Sequence, residues 1–184
     1  MLDLLVLLLV RALRGAVRVL PLAGAVSAGR ALGWAASWVA WPGRGVFARN
    51  WRIVFGRAHS GAEWRACWAG LVGNLVASLR FGQLTLDQKR GAVDLVHLER
   101  LRAAAAPGRG VILATAHLGC WELLAQIPEL IPDLKFHTLY QPLENKGLDR
   151  LVREERARCG VGLIPRRGAW RAMAERLRAG EVVA

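Results

Sequence analysis

Cysteine is scarce: Cys67, Cys120 and Cys159 are the three in 184 residues, and none stands in a Cys-x-x-Cys pair. A sparse, odd count excludes a disulfide framework, offers no metal-ligand spacing and fits a reducing compartment. Long uncharged runs are missing as well. Apolar residues make up 54% of the chain, yet no window of about 18 residues is free of charge, so no clean transmembrane helix is read. No signal-peptide cleavage pattern follows the first apolar run, because Arg11, Arg14 and Arg18 interrupt it. Lysine is nearly absent: Lys89, Lys135 and Lys146 stand against 23 arginines, and the net charge is +12. Guanidinium charge is fixed and makes bidentate phosphate contacts, which suits lipid head groups or nucleic acid. A GC-rich coding sequence is the competing source of the arginine bias.

What is present begins with a helix over Leu2 to Leu20, on which Arg11, Arg14 and Arg18 gather on one face and leucine and valine cover the rest. An apolar body with an arginine stripe is the pattern of an interfacial anchor, and a core helix with solvated arginines is the alternative. Trp34, Trp38 and Trp41 follow at i, i+4 and i+7, a spacing that serves either core packing or a membrane interface, and Pro42 with Gly43 closes the unit. Ser60 with Glu63 three residues on predicts a capping box and a helix to about Leu79. From Gly110 the pattern changes, entered through Pro107-Gly-Arg-Gly110. Strands are read at 111–115, 135–140 and 161–164, alternating with helices at 119–130, 148–159 and 169–179, and a fourth strand begins at Glu181. Such alternation predicts an α/β fold with a mixed or parallel sheet and crossover helices. The division expected is a membrane-associating segment at 1–42, a helical pre-catalytic region at 43–106 and the first part of an α/β core at 107–184. Because the sequence stops within the fourth strand, the chain reads as a fragment with the C-terminal part of its sheet missing.

His117 and Glu122 are the candidate catalytic pair. On a continuous helix positions i and i+5 diverge by about 140°, so His117 must hang from the strand-to-helix loop, and Gly119 offers that break. A carboxylate that orients an imidazole makes it a general base, and a hydroxyl substrate then needs no enzyme nucleophile. The spacing alone is a weak signal. His59, His97 and His137 carry Trp64, Arg102 and Pro142 at the same offset.

The surrounding residues are more specific. Gly108-Arg-Gly-Val-Ile-Leu-Ala-Thr-Ala-His-Leu-Gly-Cys-Trp-Glu-Leu-Leu124 resembles the first motif of the late acyltransferases of lipid A biosynthesis (the lauroyl and myristoyl enzymes), within the lysophospholipid acyltransferase group and its glycerolphosphate acyltransferase-like fold. Ala48-Arg-Asn-Trp-Arg-Ile-Val-Phe55 resembles the pre-catalytic segment. Tyr140-Gln-Pro-Leu-Glu-Asn145 with Asp149-Arg150, and Leu163-Ile-Pro-Arg-Arg-Gly168, are similar to later blocks. The resemblance implies acyl transfer from an acyl carrier protein thioester, or acyl-CoA, to a hydroxyl of a membrane lipid, with His117 as base and Glu122 as its partner. It implies no metal and no further cofactor. Arg150, Arg166 and Arg167 match or neighbour family positions and are candidates to hold substrate phosphate, a solvated surface being the alternative. The chain departs from the family at Ala116, Leu118 and Cys120, where Gly, Phe and Asn are common, and at Gln141, where Arg often stands.

The expected partners are therefore the acyl carrier protein, anionic lipids and a lipid acceptor, at the cytoplasmic face of a bacterial inner membrane. A phosphatidylinositol mannoside acyltransferase, or a silent membrane-surface protein keeping the fold, is the alternative. Nucleic acid is not an expected partner, because arginine is spread along the chain rather than clustered beside stacking aromatics.

Overall fold

The computed structural model describes residues 2–40, 43–106 and 108–184. Trp41 and Pro42, read as the end of the tryptophan unit, and Pro107, read as the entry to the first strand, lie outside the described residues. The chain divides into two compact units, residues 14–81 and residues 1–13 with 82–184.

Helix α1, Leu2–Val17, spans the junction between the units and stops three residues short of the expected Leu20. The first unit then carries α2 (Leu22–Ala36), α3 (Arg44–Phe55) and α4 (Gly61–Phe81). Small residues let α2 and α4 approach closely. A Cβ at Gly33 would overlap the Trp68 carbonyl oxygen, and one at Gly29 would lie 2.7 Å from the Val76 Cβ. Gly29 and Gly33, four apart, thus face Ala69, Gly73 and Val76 in a small-xxx-small contact. The expected capping box starts α4: Ser60 Oγ accepts from the Glu63 N–H at 3.2 Å, and the Ser60 N–H donates to Glu63 Oε2 at 2.6 Å. Hydrogen bonds from the Arg57 guanidinium and then from Ser60 hold the Glu63 carboxyl down at about 2. Among the described residues, no helix is long and apolar enough to cross a membrane.

The second unit contains α5 (Leu86–Ala92), α6 (Leu98–Ala105), α7 (Lys146–Arg158), α8 (Ala169–Arg178) and four strands. The strands are β1 (Val111–Ile112), β2 (Phe136–Tyr140), β3 (Val161–Pro165) and β4 (Val182–Val183), all parallel in the order β1-β4-β2-β3. The expected α/β sheet with crossover helices is therefore present, with β4 inserted between β1 and β2. Ile131, Phe136 and Val182 form its core, with Leu98, Val111 and Ile127 packed around them.

Two elements differ from expectation. The strand read at 111–115 is paired only at 111–112, because its partner in the sheet, β4, presents two residues; Leu113 adds one more bond, its N–H donating to the Val183 carbonyl at 2.8 Å. The helix read at 119–130 is instead two 3₁₀ turns, Trp121–Ala125 and Ile127–Leu130, with Gln126 between them. Pro128 lacks an N–H and disfavours the α region for the residue before it, and Gly119 takes a left-handed φ of 56°, so no continuous α-ladder forms across the segment.

Candidate functional site

In a parallel sheet every strand ends on the same edge, and the loops beyond that edge are where open α/β folds bind ligands. His117 lies in the irregular run after β1, with its side chain exposed. The left-handed Gly119 turns the chain, and Glu122 enters the first 3₁₀ turn, half-buried. The His117 ring lies 5.2 Å from the Trp121 ring, at 47° to it. Both His117 and Glu122 line one cavity of about 390 Å³. Its walls are mainly apolar, among them Leu95, Leu98, Leu113, Ile127 and Phe136, with Thr115, Thr138 and Arg156 as polar members.

The Glu122 carboxylate is engaged on both oxygens. Oε1 accepts from the Trp121 indole N–H at 3.2 Å, and Oε2 lies 3.5 Å from the Arg156 guanidinium. No hydrogen bond or ion pair joins it to His117 among the described residues. Arg156, on α7, was not singled out from the sequence. Its side chain is 18% exposed and its guanidinium sits 5.7 Å over the Tyr140 ring, while its Nε is buried without a hydrogen-bond partner. The available signal was helical phase. Asp149, Val152, Arg156 and Cys159 recur at i, i+3, i+7 and i+10, the spacing of an inward stripe, and both Asp149 and Cys159 are buried.

The blocks around 140–150 and 163–168 close turns at the same edge. Tyr140 donates its hydroxyl hydrogen to Asp149 Oδ1, which also accepts from the Leu143 N–H at 2.7 Å. Those two bonds, led by Tyr140, hold the Asp149 carboxyl below its ordinary value; burial, then Asp149, pushes the Tyr140 phenol up. Asn145 caps α7, its Oδ1 accepting from the N–H groups of Gly147 and Leu148 at 3.0 Å each, and its amide donates to the Asp3 carbonyl at 2.9 Å. Arg166 donates to Gln141 Oε1 at 2.7 Å. Arg150 and Arg167 are exposed, and none of Arg150, Arg166 and Arg167 lines the cavity that holds His117. Cys120 occupies the N-cap position of the first 3₁₀ turn, its carbonyl accepting from the Leu123 N–H at 3.0 Å.

The site thus offers an imidazole and a carboxylate in one apolar-walled cavity, with the Arg156 guanidinium beside the carboxylate. No match was found among curated proteins. The model of one protein family, described as bacterial lipid A biosynthesis acyltransferase, matches residues 1–184. The chain belongs to the bacterial lipid A biosynthesis acyltransferase family.

Proposed function

We propose that this acyltransferase moves a fatty acyl chain from an acyl carrier protein thioester to a hydroxyl of a lipid A precursor-like acceptor, at the cytoplasmic face of the inner membrane. The observation that carries the reading is that His117 and Glu122 share one largely apolar cavity at the carboxyl edge of the parallel sheet. In the proposed step His117 takes the proton of the acceptor hydroxyl while its oxygen attacks the thioester carbonyl carbon. The C–S bond breaks, and the departing thiolate takes the proton back from the imidazolium. Glu122 orients the ring and stabilises its charged form. The leucine and phenylalanine walls suit an acyl chain, whose burial is favourable by about 0.8 kcal/mol per methylene.

Arg150, Arg166 and Arg167 stand at or near the same sheet edge and are the proposed contacts for acceptor phosphate. Exposed Leu4, Leu5, Leu8 and Leu9 on α1 support a lipid surface as the place of work. The test is His117→Ala, assayed with an acyl carrier protein thioester and a phosphorylated glucosamine lipid. Turnover should fall by roughly 10²–10⁴-fold with an unchanged circular dichroism spectrum, and near-normal turnover would remove His117 as the base. Acyl-CoA run in parallel separates the two donors.

A further inference from the structure

Glu122 has two suitors in one cavity, and the structure shows it with Arg156 rather than His117. The Arg156 contact is loose. At 3.5 Å it is well beyond the 2.7–2.9 Å of a good guanidinium–carboxylate bond, and Glu122 keeps 36% of its side chain exposed, so solvent screens the pair. Arg156 is also under-satisfied, with a buried Nε that donates to nothing. Among the described residues lining the cavity, it is the one Arg or Lys and Glu122 is the one acidic side chain.

We propose that Arg156 is an anion-operated latch on Glu122. Without substrate it draws the carboxylate toward α7. A phosphate on the entering acceptor takes over the guanidinium through two oxygens, satisfying Nε, and repels Glu122, which then pairs with His117. The planar guanidinium fork matches a tetrahedral phosphate bidentately and gains two short bonds for one long one. The mainly apolar wall beside it fits an acceptor that carries phosphate on an apolar body. Arg156 is thus a positioning residue that couples acceptor binding to assembly of the base, and the inference rests on the reading of His117 and Glu122 as the catalytic pair.

The test uses the full chain labelled with ¹⁵N-histidine, watching for a downfield imidazole N–H proton of His117, assigned by its loss in His117→Gln. In the native protein the signal should be absent without anion and appear with inorganic phosphate or a phosphorylated glucosamine lipid. In Arg156→Gln it should be present from the start. Kinetically, Arg156→Gln should raise KM for the phosphorylated acceptor about tenfold or more while kcat stays within about threefold, and Arg156→Lys should recover part of the KM loss. A signal in the native protein without anion, no signal in Arg156→Gln, or an unchanged KM would each overturn the latch. Normal turnover by His117→Gln would instead overturn the catalytic reading on which the latch rests, leaving the spectroscopic result on Arg156 and Glu122 to stand by itself.

Discussion

His137 Nε2 lies 2.7 Å from Glu181 Oε2, joining β2 to the residue that leads into β4. This is the shortest histidine–carboxylate contact among the described residues, and it is formed across strands rather than along the chain. Both side chains are nearly buried, at 13% and 10% exposure, and Glu181 also lies 3.6 Å from Arg176 and 3.8 Å from Lys135. The carboxylate thus gathers basic side chains from β2, α8 and the residue before β2 around one of the two inner strands, while its Oε2 is buried without a hydrogen-bond partner. Glu181→Gln removes these charge contacts and should lower the unfolding free energy by about 1 kcal/mol, the upper end for an ion pair. Urea titration followed by circular dichroism measures it, and an unchanged midpoint would show the pair to be idle.

Gly162 tests the same contact from the other side. It stands opposite His137 in the β2–β3 register, and a Cβ there would overlap His137 Nδ1. Gly162→Ala must push the ring away from Glu181, so its cost should overlap with that of Glu181→Gln. In a double-mutant cycle the two losses should add to clearly less than their sum, by about 0.5 kcal/mol or more. Full additivity would mean that the ring yields without giving up its partner.

The Tyr140–Asp149 bond gives the fold a pH dependence of known sign. Asp149 is held below its ordinary value of 3.8 by Tyr140 and the Leu143 N–H. A carboxylate depressed in the folded state stabilises fully above its ordinary value and loses that contribution as pH falls through the folded one. The Tyr140 phenol is raised above its ordinary value of 10.0, so its contribution is complete below that value and fades as pH rises further. Stability from this pair should therefore fall off on both the acid and the alkaline side. Tyr140→Phe should lower the melting temperature by several degrees near neutrality and flatten the acid limb. An acid limb identical to the native one would assign that slope to other carboxylates.

Strand and helix alternation was legible because period-2 and period-3.6 patterns are local, and the Ser60–Glu63 box because capping is set within four consecutive residues. Strand order was not, since the insertion of β4 between β1 and β2 depends on pairings between distant segments. Within the site, the position of His117 after β1 and the break at Gly119 followed from the sequence. The company kept by Glu122 did not, because Arg156 reaches it from α7, 34 residues along the chain. Likewise Asp149 and Asn145 drew notice through the family blocks, whereas their observed work is to close a turn and cap a helix. A motif resemblance marks positions, and only packing separates those that hold the scaffold from those that face the cavity.

Within residues 14–81 the close approach of α2 to α4 runs through Gly29 and Gly33. At Gly33 the obstacle to a side chain is the Trp68 backbone carbonyl, which cannot swing aside as a flexible side chain would. Gly33→Ala should force α2 and α4 apart and cost about 1–3 kcal/mol, the range of overpacking, even though alanine is the better helix former. Gly15 is the control: a Cβ there meets nothing within 4 Å, so Gly15→Ala should be neutral or slightly stabilising. If both substitutions behave alike, close approach is not what holds the pair.

Membrane docking is the last expectation and the most directly measured. Leu5 and Leu9 on α1 are 58% and 69% exposed, an arrangement that wastes apolar surface unless something covers it. Residues 14–81 carry nine arginines, no lysine and the single acid Glu63, which Arg57 neutralises. Trp34 and Trp38 in that unit are exposed as well. On that expectation leucine insertion would supply affinity and the arginines the preference for anionic head groups. Partitioning onto phosphatidylglycerol vesicles should therefore exceed that onto phosphatidylcholine and weaken as salt shortens the screening length from about 10 Å at 0.1 M. Leu5→Asp and Leu9→Asp should each reduce it by about tenfold or more, since burying one leucine is favourable by roughly 1.5–3 kcal/mol. Arg49→Gln with Arg52→Gln on α3 should reduce the anionic preference while sparing the weaker binding to neutral vesicles. Equal binding to both lipids, insensitive to salt and to the leucine changes, would mean that neither the arginines nor α1 meets the membrane.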